Sequence, residues 1–149
     1  MEITGHIGSL LGKKGSQIWS LPPTASVYNA IAMMADKEVG ALPVLDGNAL
    51  VGIVSERDYA RKVILQGRSS KETPVTEIMS SPVVTVTPAH TIEECMRLVT
   101  EKRIRHLPVV EDGRLVGMVS IGDLVNWTIT AQQETIVHLE TYISGTAQY

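Results

Sequence analysis

The sequence has no phenylalanine, and aromatic residues make up only 4% of its 149 positions, so aliphatic side chains must build its core. Its single cysteine, Cys95, excludes an internal disulfide framework and a cysteine-based zinc site within one chain. No apolar run approaches the ~20 residues that a membrane-spanning helix needs. Residues 1–20 lack the uninterrupted apolar stretch of a secretory signal. Positive charge is not in excess either: 13 Lys and Arg stand against 16 Asp and Glu, a net charge of −3. No bulk field therefore favours nucleic acid or anionic lipid. These absences predict a cytoplasmic protein with no membrane or nucleic-acid partner. What is present, 44% hydrophobic and 19% charged residues, is the composition of a folded domain, and the length fits about one.

The chain also repeats itself. Shifted by 65 positions, residues 16–58 lie over 81–123 without a gap. Pro23 falls on Pro88, Leu42-Pro43-Val44 on Leu107-Pro108-Val109, and Leu50-Val51-Gly52 on Leu115-Val116-Gly117. Val54-Ser55 falls on Val119-Ser120 and Asp58 on Asp123. Two similar halves of this size imply that each needs the other to bury an apolar face. The division this predicts is an N-terminal arm over 1–15, a first unit over 16–66, a polar linker over 67–80 and a second unit over 81–145 with an extended C-terminal helix.

Each unit reads β-α-β-β-α, an α/β (α+β) arrangement. In the first, residues 18–21 form a short strand closed by Pro22-Pro23. Ser26 caps a helix whose Val27, Ala30, Ile31 and Met34 share one face, and Gly40 ends it. Strands at 41–45 and 50–54 flank the turn Asp46-Gly47-Asn48, and a second helix follows over about 59–65. In the second unit, 83–86 is the first strand and Thr91 with Glu94 forms a capping box. Ile92, Cys95, Met96 and Val99 then make the helix face. Strands at 107–110 and 115–119 lead to a last helix over 124–143 that stops at Gly145. Residues 75–79 make a short helical turn before the second unit.

Both units place Ser-x-x-Asp where a buried strand becomes a helix. Such a junction offers backbone N–H groups to an anion and a carboxylate to the two hydroxyls of a ribose. The same pair also serves as a plain helix cap. Its occurrence twice, after the same apolar strand, favours a ligand site.

These repeated motifs resemble the CBS domain, named for cystathionine β-synthase: Leu-Pro-Val, a Val-Gly strand ending in Val-Ser, and the Asp three residues on. The resemblance covers about 16–65 and 81–130 and implies two units paired about a pseudo-twofold axis. It also implies an adenosine-containing ligand (AMP, ADP, ATP, NAD(H) or S-adenosylmethionine), no catalytic cofactor, a homodimer and a separate regulated protein. The function it implies is regulatory sensing of energy or redox state, with no enzymatic activity. The alternative is a structural dimerisation module that binds no ligand.

The implied pairing mixes the units at each site. One cleft would use Ser55, Arg57 and Asp58, walled by Val83, Val84, Ile104, Arg105 and His106. The other would use Ser120, Gly122 and Asp123, with Ile18, Trp19, Val39, Gly40 and Ala41, and with Lys13 and Lys14 near. Asp would hold the ribose, and Pro43 and Pro108, lacking N–H groups, would leave carbonyls nearby unengaged. Arg57 and Arg105 fit the Asp58 cleft to a nucleotide phosphate, since Arg binds phosphate bidentately.

Other features predict less. Residues 8–14 are one residue short of a phosphate-binding P-loop, and Lys14 stands where Ser or Thr should bind Mg²⁺. They read as a flexible arm. Cys95, on an apolar helix face, reads as a buried thiol. The four histidines have no metal-ligand spacing, and no metal site is predicted. Met33, Met34 and Met96 read as core or dimer contacts. Ile136, Val137, Leu139, Tyr142 and Ile143 are too apolar for a solvated helix face.

Overall fold

The order of elements follows from capping and periodicity. The computed structural model describes residues 4–15 and 17–148, with side chains as far as 140 except those at 135 and 138. Helix α1 spans Ile7–Lys14, α2 Val27–Lys37, strands β1 and β2 Ala41–Asp46 and Ala49–Ser55, and α3 Glu56–Tyr59. A π-turn at Ala60–Ile64 and a 3₁₀ turn at Val75–Glu77 follow. Then come α4 at Ile92–Lys102, β3 at His106–Glu111, β4 at Arg114–Ser120 and α5 at Ile121–Gln148.

The two repeats agree closely. In α2 the Ser26 side chain accepts from Asn29 N, and in α4 Thr91 and Glu94 form the expected capping box. Both helices end on a left-handed residue, Glu38 or Arg103, each at φ 55°. Gly40 is therefore not the stop: the N–H groups of Glu38 and Val39 both reach Met34 O and close the last turn two residues earlier. Holding a non-glycine there costs roughly 1–2 kcal/mol, and the satisfied carbonyl offsets it. Burial along β2 and β4 alternates identically.

In β1–β2, Leu42 opposes Val54 and Val44 opposes Gly52, and Leu45 then opposes Leu50, so Val51 bulges. The turn carries Gly47 at φ 61°. Gly52 has no side chain because Met79 fills its place: an added Cβ would lie 2.8 Å from Met79 Cγ.

The strand predicted over 18–21 is a single parallel bridge. Leu21 N donates to Pro43 O at 3.1 Å and Leu45 N donates to Leu21 O at 2.9 Å. Proline stops it on both sides. Extension toward Trp19 needs an N–H at Pro43, and extension past Leu21 needs one at Pro23. Residues 83–86, with Pro88 and Pro108 at the matching positions, likewise carry one bridge residue, Val86, and no strand.

The arm is a helix. Ile7, Leu10 and Leu11 of α1 are buried. No side chain caps it; Ile7 N donates to His90 O and Gly8 N to Pro88 O, both at 2.9 Å. Ile92 N returns a bond to Gly5 O at 3.0 Å. The first repeat has the same arrangement around 73–75: Val75 N donates to Ala25 O and Val27 N to Thr73 O. Residues 5–7 thus do for α4 what 73–75 do for α2.

The helix after β2 starts at Glu56, not Tyr59, because Ser55 is its cap. It widens at once into the π-turn, where Leu65 N reaches back to Ala60 O and Val63 is buried. Helix α5 starts at Ile121 rather than Leu124, and its backbone stays helical through Gly145. Ile136, Val137 and Leu139 are exposed; the side chains of Tyr142 and Ile143 lie outside the described residues.

The chain packs as two units. One comprises 17–85 and 108–118, with a core that includes Val27, Leu42, Val44, Val54, Val63 and Ile78. The other comprises 4–15, 86–107 and 119–148, where Ile7, Ile92, Cys95, Leu107, Val119 and Leu124 are buried. Burial pushes the Cys95 thiol up to about 11, and Glu94 adds to the rise, so the group is an inert core thiol. Among the described residues no helix is long and apolar enough to cross a membrane.

Candidate functional site

In the first unit the antiparallel hairpin brings its own ends together. Ala41 pairs with Ser55, and Glu56 N donates to Gly40 O at 3.0 Å. Ser55 and Asp58 then form a reciprocal cap. Asp58 Oδ2 accepts from Ser55 N and from the Ser55 hydroxyl, both at 3.0 Å, and Ser55 Oγ accepts from Asp58 N at 3.1 Å. The other oxygen, Oδ1, lies 3.1 Å from Lys62 Nζ, one helical turn on. Lys62 also donates to Ile78 O at 2.8 Å, which pins the ammonium from a second side. The Asp58 side chain keeps 13% exposure. Lys62 was missed in the sequence, although an (i, i+4) Asp–Lys spacing is the ordinary helix ion-pair signal.

The second unit repeats this with one substitution. Ile121 N donates to Arg105 O at 2.8 Å. Asp123 Oδ2 accepts from Ser120 N at 2.8 Å, and Ser120 Oγ accepts from Asp123 N at 3.1 Å. Trp127 stands at the position matching Lys62, so the ammonium comes from elsewhere: Lys14 Nζ, at the end of α1, lies 2.6 Å from Asp123 Oδ2. Burial works to raise the Asp123 pKa, but the Lys14 and Ser120 hydrogen bonds outweigh it and leave the carboxyl below its ordinary value.

His106 stands in the field of this same group. Burial lowers its pKa, Lys14 lowers it further, Asp123 opposes, and Arg105 adds a smaller downward push. The sequence reading assigned His106 to the Asp58 cleft; within its unit it sits by the carboxylate of its own repeat, because a hairpin sets its first residue beside its last. A depressed histidine pKa favours the neutral ring in the fold. Its contribution to stability is complete above the ordinary 6.5 and is lost as pH falls through the lower folded value. Melting temperature is therefore expected to decline between pH 7 and pH 5. Lys14→Met should raise the His106 pKa in an NMR titration; an unchanged value would show that Lys14 does not act on the ring.

The other predicted residues fall as follows. Ile18, Trp19, Val83, Val84 and Ile104 are half-buried, and Arg57, Arg105 and Gly122 are exposed. Ala41, Pro43 and Pro108 are buried strand positions. The Pro43 carbonyl accepts from Leu21 N at 3.1 Å. Val39 and Gly40 line a cavity of about 490 Å³ with Met34, Glu56 and Tyr59. In the other unit, Asp123 and Lys14 open onto a cavity of about 240 Å³ lined also by Lys13, Asn126, Trp127 and Thr130.

Comparison with known proteins agrees with this architecture. The CBS domain family matches twice, over residues 15–64 and 75–129. The mitochondrial CBS domain-containing protein CBSX3 of Arabidopsis thaliana is 44% identical over 136 residues, covering 88% of this chain and 66% of that protein. The chain thus spans about two thirds of that relative's length. Bacillus subtilis YhcV is 36% identical over 109 residues, covering 73% of this chain and 77% of that protein. A solved structure with CBS domains from Burkholderia ambifaria superposes with a TM-score of 0.83 at 49% identity, covering 86% of this chain and 96% of that one. A hexameric CBS-CP12 protein from bloom-forming cyanobacteria gives 0.73 at 28% identity, covering 84% of this chain and 72% of that one. CBS domains generally serve as regulatory ligand-binding modules rather than as catalysts. With both repeats matched and the strand–helix junction built twice, the chain belongs to the CBS-domain family as a tandem pair of CBS domains.

Proposed function

We propose that the protein is a non-catalytic regulatory module that binds an adenosine-containing ligand and thereby alters its affinity for a partner protein. The reading rests on the duplicated Ser-x-x-Asp junction: two partly exposed carboxylates, Asp58 and Asp123, each fixed by backbone at a strand–helix corner. A fixed carboxylate is the group that accepts two ribose hydroxyls. In one unit His106 stands in the field of Asp123, and in the other Val39 and Gly40 line the cavity beside Glu56 and Tyr59. The ligand regulates by binding two states of the protein unequally. A homodimer is the assembly proposed; the cyanobacterial CBS-CP12 neighbour is itself a hexamer.

Calorimetric titration with AMP, ATP, NADH and S-adenosylmethionine tests the proposal. Binding of at least one is expected, with a rise in melting temperature, because a ligand of the native state stabilises it. If none binds at millimolar concentration, the reading fails. The capping bonds at Ser55–Asp58 and Ser120–Asp123 favour a second reading, a structural dimerisation module whose carboxylates only cap helices. An unchanged melting temperature with all four ligands would support it.

A further inference from the structure

Helix α5 runs well past the domain it closes. The family match ends at residue 129, and the helix continues to Gln148. One face packs on its own unit. Leu124 is fully buried, the Trp127 indole N–H donates to Thr4 O at 2.9 Å, and Lys13 Nζ lies 3.8 Å from Glu134. The other face is apolar and open: Val125, Ile129, Ile136 and Leu139 keep 43%, 48%, 48% and 53% exposure.

The spacing of these residues is regular. Ile129, Ile136 and Ile143 recur every seven positions, and Val125 and Leu139 stand four residues before Ile129 and Ile143. That is the repeat of a coiled coil, with Ile at the first position, a, and Val or Leu at the fourth, d. Ile at a with Leu at d favours two parallel strands. The break in the pattern is Gln132, at d. In a parallel pair in register it meets its own copy, and the two side-chain amides donate to and accept from each other. In an antiparallel pair it meets an aliphatic a residue and loses those bonds.

The charges of α5 leave an identical helix free to approach. Asp123 and Glu134 lie on outer positions of the repeat, and Asn126, Thr128 and Gln133 flank the seam. Glu140 stands at its edge, and the parallel register sets it against the neutral Thr135 of the other copy. No like charges meet, whereas a partner with a charged seam finds no complement here. The helix carries no Lys or Arg, so an anionic lipid surface gains no attraction from it either.

We propose that α5 pairs with α5 of a second copy in a parallel, in-register coiled coil along Val125, Ile129, Gln132, Ile136, Leu139 and Ile143. This rests on the homodimer of the proposed function, gives it a contact surface beyond the CBS domains, and does not depend on a ligand.

The test places one new cysteine on the full chain, where the natural Cys95 is buried. Ile136→Cys is expected to form a disulfide-linked dimer on oxidation with diamide, seen on a non-reducing gel, because a positions face each other in register. Glu134→Cys, on an outer position, should give little of it. In sedimentation equilibrium, Ile136→Lys and Ile136→Glu should each raise the dimer dissociation constant at least about 10-fold, the scale of withdrawing a buried aliphatic side chain. Mixing the two variants should restore association beyond either alone, since opposite charges then face each other. Mixing without recovery overturns the parallel register. Equal crosslinking at 134 and 136, or dissociation constants equal to wild type, overturns the coiled coil and leaves the homodimer to another surface. A monomeric wild type overturns both.

Discussion

Replacing Ile7 with alanine is expected to destabilise the protein by about 2–5 kcal/mol, the range for truncating a fully buried large aliphatic side chain. Ile7 is fully buried at the first turn of α1. That helix is joined to 88–92 by three backbone hydrogen bonds, from Ile7 and Gly8 outward and from Ile92 back to Gly5. Truncation leaves a cavity in the core of the unit that also buries Ile92, Cys95 and Leu107. Urea denaturation of Ile7→Ala and of Val75→Ala provides an internal comparison. Val75 holds the equivalent place in the first repeat and is equally buried, so its truncation should also be costly, less so for the smaller side chain. A loose N-terminal arm would show a change within about ±0.5 kcal/mol at Ile7. Deleting the first fourteen residues should then lower stability at least as much as the point variant does.

That helix marks where the sequence stopped being legible. The 65-residue offset is a strong signal because its clusters are long and gap-free, and it located both hairpins, both long helices and both Ser-x-x-Asp corners. Residues 5–11 match 73–79 at a different offset, through Ile7 with Val75, Leu10 with Ile78 and Leu11 with Met79. Three apolar positions do not stand out against a repeat found at 65. The match becomes visible through hydrogen bonds: His6 bridges Thr91 as Pro74 bridges Ser26. The predicted strands at 18–21 and 83–86 erred for a local reason. Their alternation is right, but the ladder partner carries proline, and a strand pattern does not show where its neighbour lacks an N–H.

At the candidate site the residue types were legible and their counter-ions only partly so. Ser-x-x-Asp is a local pattern, and α3 and α5 start where a serine cap requires. Lys62 is also local, four residues after Asp58, and was readable in principle. Lys14 reaches Asp123 from 109 residues away, a distance no periodicity spans. Helix α5 shows the limit from the other direction. A glycine at 145 predicts a stop, yet the backbone continues, because glycine inside a helix costs only about 1 kcal/mol against alanine.

Asp58→Ala and Asp123→Ala are each expected to weaken binding of an adenosine-containing ligand at one site by about 1.5–3 kcal/mol, or about 10- to 150-fold. The carboxylate has two separable jobs, and the choice of substitution separates them. Alanine removes both the cap and the acceptor. Asparagine keeps a carbonyl oxygen for the Ser55 or Ser120 N–H, so it preserves most of the cap while removing the negative charge. Stability should therefore fall more with alanine than with asparagine, by about 0.5–2 kcal/mol, the worth of a lost cap. Ligand affinity should fall with both. At Asp58 the change removes the carboxylate that pairs with Lys62, and at Asp123 the one that pairs with Lys14. The larger loss of stability is accordingly expected at Asp58, the more buried of the two. Melting curves and calorimetry on the four variants give both quantities. Affinities that stay at the wild-type value while stability drops would make the two aspartates caps alone, and the ribose assignment would be wrong.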